Sequence, residues 1–448
     1  MVRRYLLAFC VLLASLLMGL MGPDASANGR SPGTSTINFR RGMEQEIIAG
    51  LTFGLVVSRD GGATWYWVCE DAIGYGGTYD PDYVFTTSGA LFATTFDGMK
   101  VQRDGCSFGE PINTTFVSTI AQSPDGKLYY GAAERSGATV GDSKIYRSTD
   151  DGMTWTASAN QPGVPDDWWQ SLEVAPSDAN RLYLAGYRFV LVGSEMKKIF
   201  LLFRSEDGGQ TWSALPTAQF VTMPLSTIEI AGISPTNPDL VFARVKLEDN
   251  ALSDAIYRST DKGQSWTRVL GKGGAIAFVV RKNGELVAAT QALGAVRSSD
   301  NGTTWIDIPG APHINCLAEN SAGELWACTQ NYGTLGTPSD GYGIMKTTTL
   351  ASWQPVMKYQ EMKGPVACTG GSVQKERCDT ELWCGLCMQL GCDPGPTHPE
   401  CMITRDMPAG GGSDGGCCKV SGTPAPGAML LVLGVGILLL RRPPRRRR

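Results

Sequence analysis

Carboxylates, arginines, aromatic rings and cysteines dominate the chemistry-bearing side chains of this sequence, and imidazole is almost absent. Two histidines in 448 residues, His313 and His398, are too few for a histidine-rich metal site or a nucleophile–histidine dyad. Aspartates such as Asp142, Asp249 and Asp254 could serve general acid–base hydrolysis, but no spacing singles out a pair. No phosphate-binding or dinucleotide fingerprint follows a strand-like run, and the GGGSDGG stretch reads as a linker. No cofactor and no metal are expected. What remains is a set of aromatics interleaved with charges: Glu134, Arg135, Trp168, Trp169, Tyr187, Arg188, Arg244, Tyr332 and Asp340. Rings beside charges suit recognition of a sugar or a protein.

The elements that must position these residues come from a repeat. The pattern Ser-x-Asp-x-Gly-x-x-Trp occurs as SRDGGATW, STDDGMTW, SEDGGQTW, STDKGQSW and SSDNGTTW, ending at Trp65, Trp155, Trp212, Trp266 and Trp305. QRDGCSF, ending at Phe108, and a stretch ending at Trp353 fill the remaining intervals as degenerate copies. The aspartates, Asp60, Asp104, Asp150, Asp207, Asp261 and Asp300, head hairpin turns and accept backbone N–H groups. The glycine two positions on takes a left-handed conformation, and the tryptophan packs across the turn. Alternating runs such as KIYRS, LLFRS and AIYRS precede each turn and short strands follow it, with two further strands upstream. The expectation is all-β: about seven blades of four antiparallel strands over residues 35–357, forming a β-propeller. The 55 glycines, 11 tryptophans and an 18% charged fraction agree with a turn-rich β fold. The first strands of residues 35–70 look sufficient to close the ring without a borrowed strand.

These turns resemble the Asp-box (BNR-repeat) propellers, a set that includes sialidases, xyloglucan-type glycanases, sortilin-like receptors and photosystem assembly factors. The resemblance implies the fold and leaves the activity open. Its sialidase branch implies three arginines on a substrate carboxylate, a tyrosine–glutamate nucleophile and an acid/base aspartate. Arg135, Arg188 and Arg244 end second strands and are the matching candidates, but FRRG at residues 39–42 lacks the Ile-Pro of the first arginine's motif. In a four-stranded blade the first and third turns share one face. The second-to-third loops, long here, lie on the other, and that face is where binding is expected.

Twelve cysteines remain once Cys10 is assigned to a leader, an even number that points to disulfides in an oxidising compartment. Cys69 with Cys106, and Cys316 with Cys328, are the expected pairs within the repeats. Cys368, Cys378, Cys384, Cys387, Cys392 and Cys401 crowd residues 364–402, expected as a disulfide-stapled module. The Cys384–Cys387 CxxC is a weaker candidate for a redox or zinc half-site.

Both ends carry address signals. Residues 1–27 combine arginines, an apolar run and a small-residue cleavage site, the pattern of a secretory signal. A glycine-rich linker (408–427), Cys417-Cys418 and an apolar run with terminal arginines (428–448) resemble the myxobacterial-type sorting tail, MYXO-CTERM. That resemblance implies processing at Cys417 or Cys418 and display at the cell surface, with the membrane reached through the tail. The formal net charge is −4, and setting aside the terminal arginines makes the body more acidic, which argues against nucleic acid as a partner. The expected role is a surface propeller that binds a protein or glycan and is non-catalytic. A glycoside hydrolase of sialidase or glycanase type and an envelope-complex assembly factor are the alternatives.

Overall fold

The computed structural model describes residues 30–401, apart from residues 78, 111, 113–115, 137–138, 221–225, 247–253, 272, 335–336, 394–397 and 399–400. The leader, the linker, Cys417, Cys418 and the apolar tail therefore lie outside the described residues, as does Asp249. No helix among the described residues is long and apolar enough to cross a membrane.

Seven antiparallel sheets follow one another along the chain, six of four strands and one of three. Blade 1 is built from Thr34–Phe39, Ile47–Leu51, Gly54–Ser58 and Tyr66–Val68. The innermost strands of blades 2 to 7 are Tyr83–Phe85, Phe116–Gln122, Trp168–Val174, Thr227–Ile233, Ala275–Val280 and Cys316–Glu319. Each innermost strand contacts the next, and Cys316–Glu319 contacts Thr34–Phe39, so the strands form a closed ring around a central channel. No strand is borrowed for closure: blade 1 and blade 7 are each made of consecutive strands. Their junction is sealed by side chains instead, with Phe39 set edge-on to Trp326 at 5.4 Å and Thr34 hydrogen-bonded to the Tyr359 hydroxyl at 2.8 Å.

The Ser-Asp-Gly-Trp turns sit between the third and fourth strands of their blades, and their hydrogen bonds show why the pattern recurs. In the first, the Ser58 hydroxyl donates to Asp60 Oδ1 (2.8 Å) and accepts the Gly62 N–H (2.9 Å). Asp60 accepts the backbone N–H of Thr64 at 2.9 Å and its hydroxyl at 2.6 Å, and Trp65 Nε1 donates to the Gly62 carbonyl at 3.0 Å. The serine is thus a relay at the centre of the clip and not merely the end of a strand. The glycine does more than turn the chain. Gly152 (φ +75°) would place a Cβ 2.4 Å from the Phe92 ring of blade 2, and Gly263 (φ +83°) 2.6 Å from Leu215 of blade 4. Both reasons exclude a side chain. The same turns are stitched to the preceding blade by arginine. Arg103 donates to the Asp151 carbonyl (2.6 Å), Arg204 to that of Lys262 (2.8 Å) and Arg258 to that of Asn301 (2.9 Å).

Blade 2 departs from the pattern. Its turn is one residue shorter and has Gln102 where the other turns have their leading serine, and beyond Gly98–Gln102 the fourth strand shrinks to a single Gln102–Phe108 bridge. In blade 7 the Thr347 hydroxyl takes the serine's place, accepting the N–H groups of Thr349 and Leu350.

The disulfide expectations need one correction. Cys316 and Cys328 do pair, across register partners of blade 7. Cys69 and Cys106 do not pair with each other: Cys69 joins Cys378 and Cys106 joins Cys368. The physical reason is the outer edge of blade 1, where Tyr66–Val68 would expose unpaired backbone groups. Residues 363–366 run along it, Trp67 N–H donating to the Gly364 carbonyl (2.8 Å) and Val366 N–H to the Trp67 carbonyl (2.9 Å). Cys69, one residue past that strand, is then placed beside Cys378. The C-terminal cysteines are therefore not a self-contained set. Cys384–Cys401 and Cys387–Cys392 close locally, and the other two clasp the propeller rim. The CxxC sulfurs are both in disulfides, which leaves no zinc half-site there.

Candidate functional site

Six aromatic rings form a continuous row across blades 2, 3 and 4 on the long-loop face. Tyr79 packs on Phe96 (4.6 Å between centroids), Phe96 stacks on Phe116 (5.2 Å) and Phe116 meets Trp168 (6.4 Å). Trp168 lies parallel to Tyr187 at 6.0 Å, 7° between planes, and Tyr187 meets Phe189 edge-on at 5.6 Å. The positions follow from topology. Phe96 occupies a second-to-third turn, Phe116 and Trp168 open innermost strands, and Trp168 and Tyr187 are cross-strand partners. All four therefore sit at the same end of their blades. Lys198 adds its ammonium 4.3 Å above the Tyr187 ring. Phe96 and Phe189 are exposed, while Phe116, Trp168 and Tyr187 are half-buried, so the row is a ledge whose rings support one another.

The channel beside the ledge is acidic. In Trp168–Val174, Leu172 and Val174 are buried and Glu173 between them is exposed, as strand alternation requires when one face looks into the channel. Glu229 projects in the same way from between Ile228 and Ile230, and Asp82 immediately precedes the innermost strand of blade 2. Enclosure within the ring, then the charge of Glu229, push the Asp82 carboxyl up to about 7, with Lys246 and Thr119 pulling back. Enclosure, then Asp82 and Glu229, push Glu173 up to about 8. Both side chains keep contact with channel water, so their carboxyls are crowded rather than sealed. Glu229 is ion-paired with Lys246 (2.5 Å) and Arg244 (3.4 Å). It also lines a cavity of about 220 Å³ reaching Phe278 and Leu317 on blades 6 and 7. No group of three potential ligands among the described residues could hold a metal ion.

The sequence candidates separate. Trp168 and Tyr187 belong to the ledge. Trp169 does not: it is 2% exposed and packs between blades 3 and 4 against Phe203, because its neighbour takes the outward face. Tyr332 is half-buried and tied to the C-terminal helix, its hydroxyl donating to the Leu390 carbonyl (2.7 Å). Asp340 is a loop clasp that accepts the N–H groups of Gln330 and His313, with His313 Nδ1 2.9 Å from its Oδ1. Arg188 makes a two-toothed pair with the fully buried Asp167 (2.9 Å for the Nη2 bond). Arg244 is held by Glu229, Asp254 (3.1 Å) and the Ile276 carbonyl (2.6 Å). Two of the three arginine candidates are thus matched by carboxylates of the chain itself. Arg40 is occupied as well, by Glu46 (2.8 Å) and the Thr87 carbonyl. Glu134 and Arg135 lie in Leu128–Ser136, opposite Gly141 and Val140.

Sequence reasoning passed over Phe96, Phe116, Asp82, Glu173, Glu229 and Lys198. A signal existed for two of them: a glutamate between apolar residues in SLEV and STIEI, which marks the channel-facing side of an innermost strand.

No protein-family model matches the chain, and no curated protein matches it. Among solved structures, the extracellular domain of a hybrid two-component system from B. thetaiotaomicron is similar at 14% identity and a TM-score of 0.46, over 67% of this chain and 37% of that one. The GH74 enzyme of Niastella koreensis is similar at 16% identity and a TM-score of 0.40, over 74% of this chain and 55% of that one. YCF48 bound to a D1 peptide is similar at 16% identity and a TM-score of 0.35, over 54% and 68%. The chain thus spans about a third to a half of the first two proteins' length. At such identities and scores none of these likenesses bears on what the chain does.

Proposed function

We propose that this chain is an exported surface propeller that binds a glycan through its long-loop face, without chemistry of its own. The aromatic ledge carries the reading. The exposed rings Phe96 and Phe189 and the half-buried rings between them, backed by rigid blades, offer a preformed aromatic surface on which sugar rings can pack at low entropic cost. Five disulfides across ten cysteines support an oxidising destination. The test is affinity electrophoresis of the purified body in gels containing neutral plant or bacterial polysaccharides. Retardation by at least one of them, lost in Trp168→Ala, is expected; mobility unaffected by any polysaccharide would overturn the reading.

The channel acids favour a second reading, a glycoside hydrolase of the glycanase type. A carboxyl pushed up to about 8, sharing the channel with one ion-paired to Lys246 and Arg244, is an arrangement that acid–base cleavage can use. Release of reducing ends from a bound polysaccharide, abolished in Glu173→Gln, would replace the binding reading with this one. The sialidase form has less support, since Arg188 and Arg244 are already paired. An assembly factor would instead co-purify with an integral membrane partner from envelope fractions.

A further inference from the structure

We infer that a second ligand site, for a small hydroxylated carboxylate of the sugar-acid type, lies on the outer rim of blade 1 beneath the C-terminal clasp. A cavity of about 680 Å³ opens there, and this is the size that holds a small organic ligand. Four separate stretches line it. Tyr66 comes from the outer strand, Lys363 and Pro365 from the segment laid along it, Lys375 and Asp379 from the π-helix Gln374–Leu382, and His398 from the chain beyond. The disulfides Cys69–Cys378 and Cys106–Cys368 hold these stretches together, each with one cysteine adjacent to a lining residue.

The charges are arranged for an anion. Asp379 and His398 are each 9% exposed, an uncommon depth for titratable groups, with Asp379 Oδ1 3.4 Å from His398 Nε2. Lys375 pairs with the same carboxylate from one turn earlier in the helix. Asp379 is therefore neutralised within the cluster and orients the imidazole. Lys363 is different: among the described residues its ammonium meets no carboxylate. The cavity thus counts a spare cation, Lys363, among its lining together with the aromatic Tyr66 and Pro365. A carboxylate would meet Lys363, and a sugar ring's apolar face would lie on Tyr66. The π-helix contributes the geometry. Its wider turn sets Lys375, Asp379 and Thr380 on one side, with the Thr380 hydroxyl donating to the Lys375 carbonyl at 2.9 Å, and such segments recur at functional sites.

The test is isothermal titration of the intact, disulfide-bonded chain with D-galacturonate, D-galactose and acetate. Saturable binding of galacturonate is expected, with galactose and acetate each at least about tenfold weaker, because each lacks one half of the recognition. Lys363→Gln should weaken galacturonate by about tenfold or more, and Lys363→Arg should restore most of it, since both replace an exposed side chain without touching the backbone pairing. Trp168→Ala on the distant ledge should change nothing, which separates this site from the glycan reading. Galactose binding as well as galacturonate, an unaffected Lys363→Gln variant, loss in Trp168→Ala, or no saturable binding of galacturonate would each overturn the proposal.

Discussion

The carboxylates of the hairpin turns and those of the channel are the same chemical group in opposite states. Asp150 and Asp300 accept a threonine hydroxyl and backbone N–H and a serine hydroxyl within four residues, and are pulled down to about 2. Glu173 and Asp82 face each other and Glu229 across the ring from blades 4, 2 and 5, and are pushed up to about 8 and about 7. The turns are fully solvated yet strongly organised; the channel is watered yet crowded. The difference shows that organised donors draw a carboxyl down even in the open, while enclosure and neighbouring charge push it up further in the channel, and that the propeller keeps its turn acids and its channel acids apart.

The comparison can be broken most forcefully at the tryptophans. Trp266 is 6% exposed and clamps its turn against blade 4, so Trp266→Ala should lower unfolding stability by about 3–5 kcal/mol in urea titration. Trp168→Ala, on the half-buried ledge, should cost much less while removing ligand. Equal losses would mean that the ledge is part of the core. Next in size is the serine relay. Ser259→Ala strips Asp261 of one donor and leaves the Gly263 N–H without its acceptor, a cost of about 1–3 kcal/mol.

The pH response should divide the two regions. The folded-state pKa of the turn aspartates is depressed. Their stabilisation is therefore present above the unfolded value of about 4 and disappears as pH falls toward about 2. The channel acids are raised, so their protonated forms cost nothing below about pH 4, and the native state is progressively penalised as pH climbs through about 7 to 8. Glu173→Gln should accordingly stabilise the protein at pH 9 and leave it unchanged at pH 4, by less than about 1 kcal/mol because channel water screens the charge. Stabilisation of equal size at both pH values would contradict the crowding. The smallest effect belongs to the left-handed fourth turn position. Lys262 has φ +65°, and Lys262→Gly should raise stability by about 0.5 kcal/mol, as relief of the steric strain slightly exceeds the added freedom of the unfolded chain.

Much of the fold was legible because its key contacts are local. A serine, aspartate, glycine and tryptophan within eight residues satisfy one another, so the clip is visible in the string of letters wherever it occurs. The ledge was half legible. Trp168 and Tyr187 stood out as aromatics near charges, but Trp169 looked equivalent to Trp168 until strand alternation sent one to the surface and the other between blades. Phe96 and Phe116 carried no mark at all, since their partners lie in other blades.

The sequence by itself determined the blades, their number, their turn chemistry and the abundance of disulfides. All of these follow from hydrogen bonds and alternation within a few dozen residues. Only the tertiary structure decided which cysteines meet, where the C-terminal segment lies, which carboxylates share the channel and which aromatics form one row. Those are meetings between residues of different blades or segments, and the longest-range disulfide, Cys69 with Cys378 across 309 positions, exists because the ring returns the last blade to the first. Closure of a circle leaves no trace in local spacing, and it is closure that creates both the acidic channel and the clasped rim.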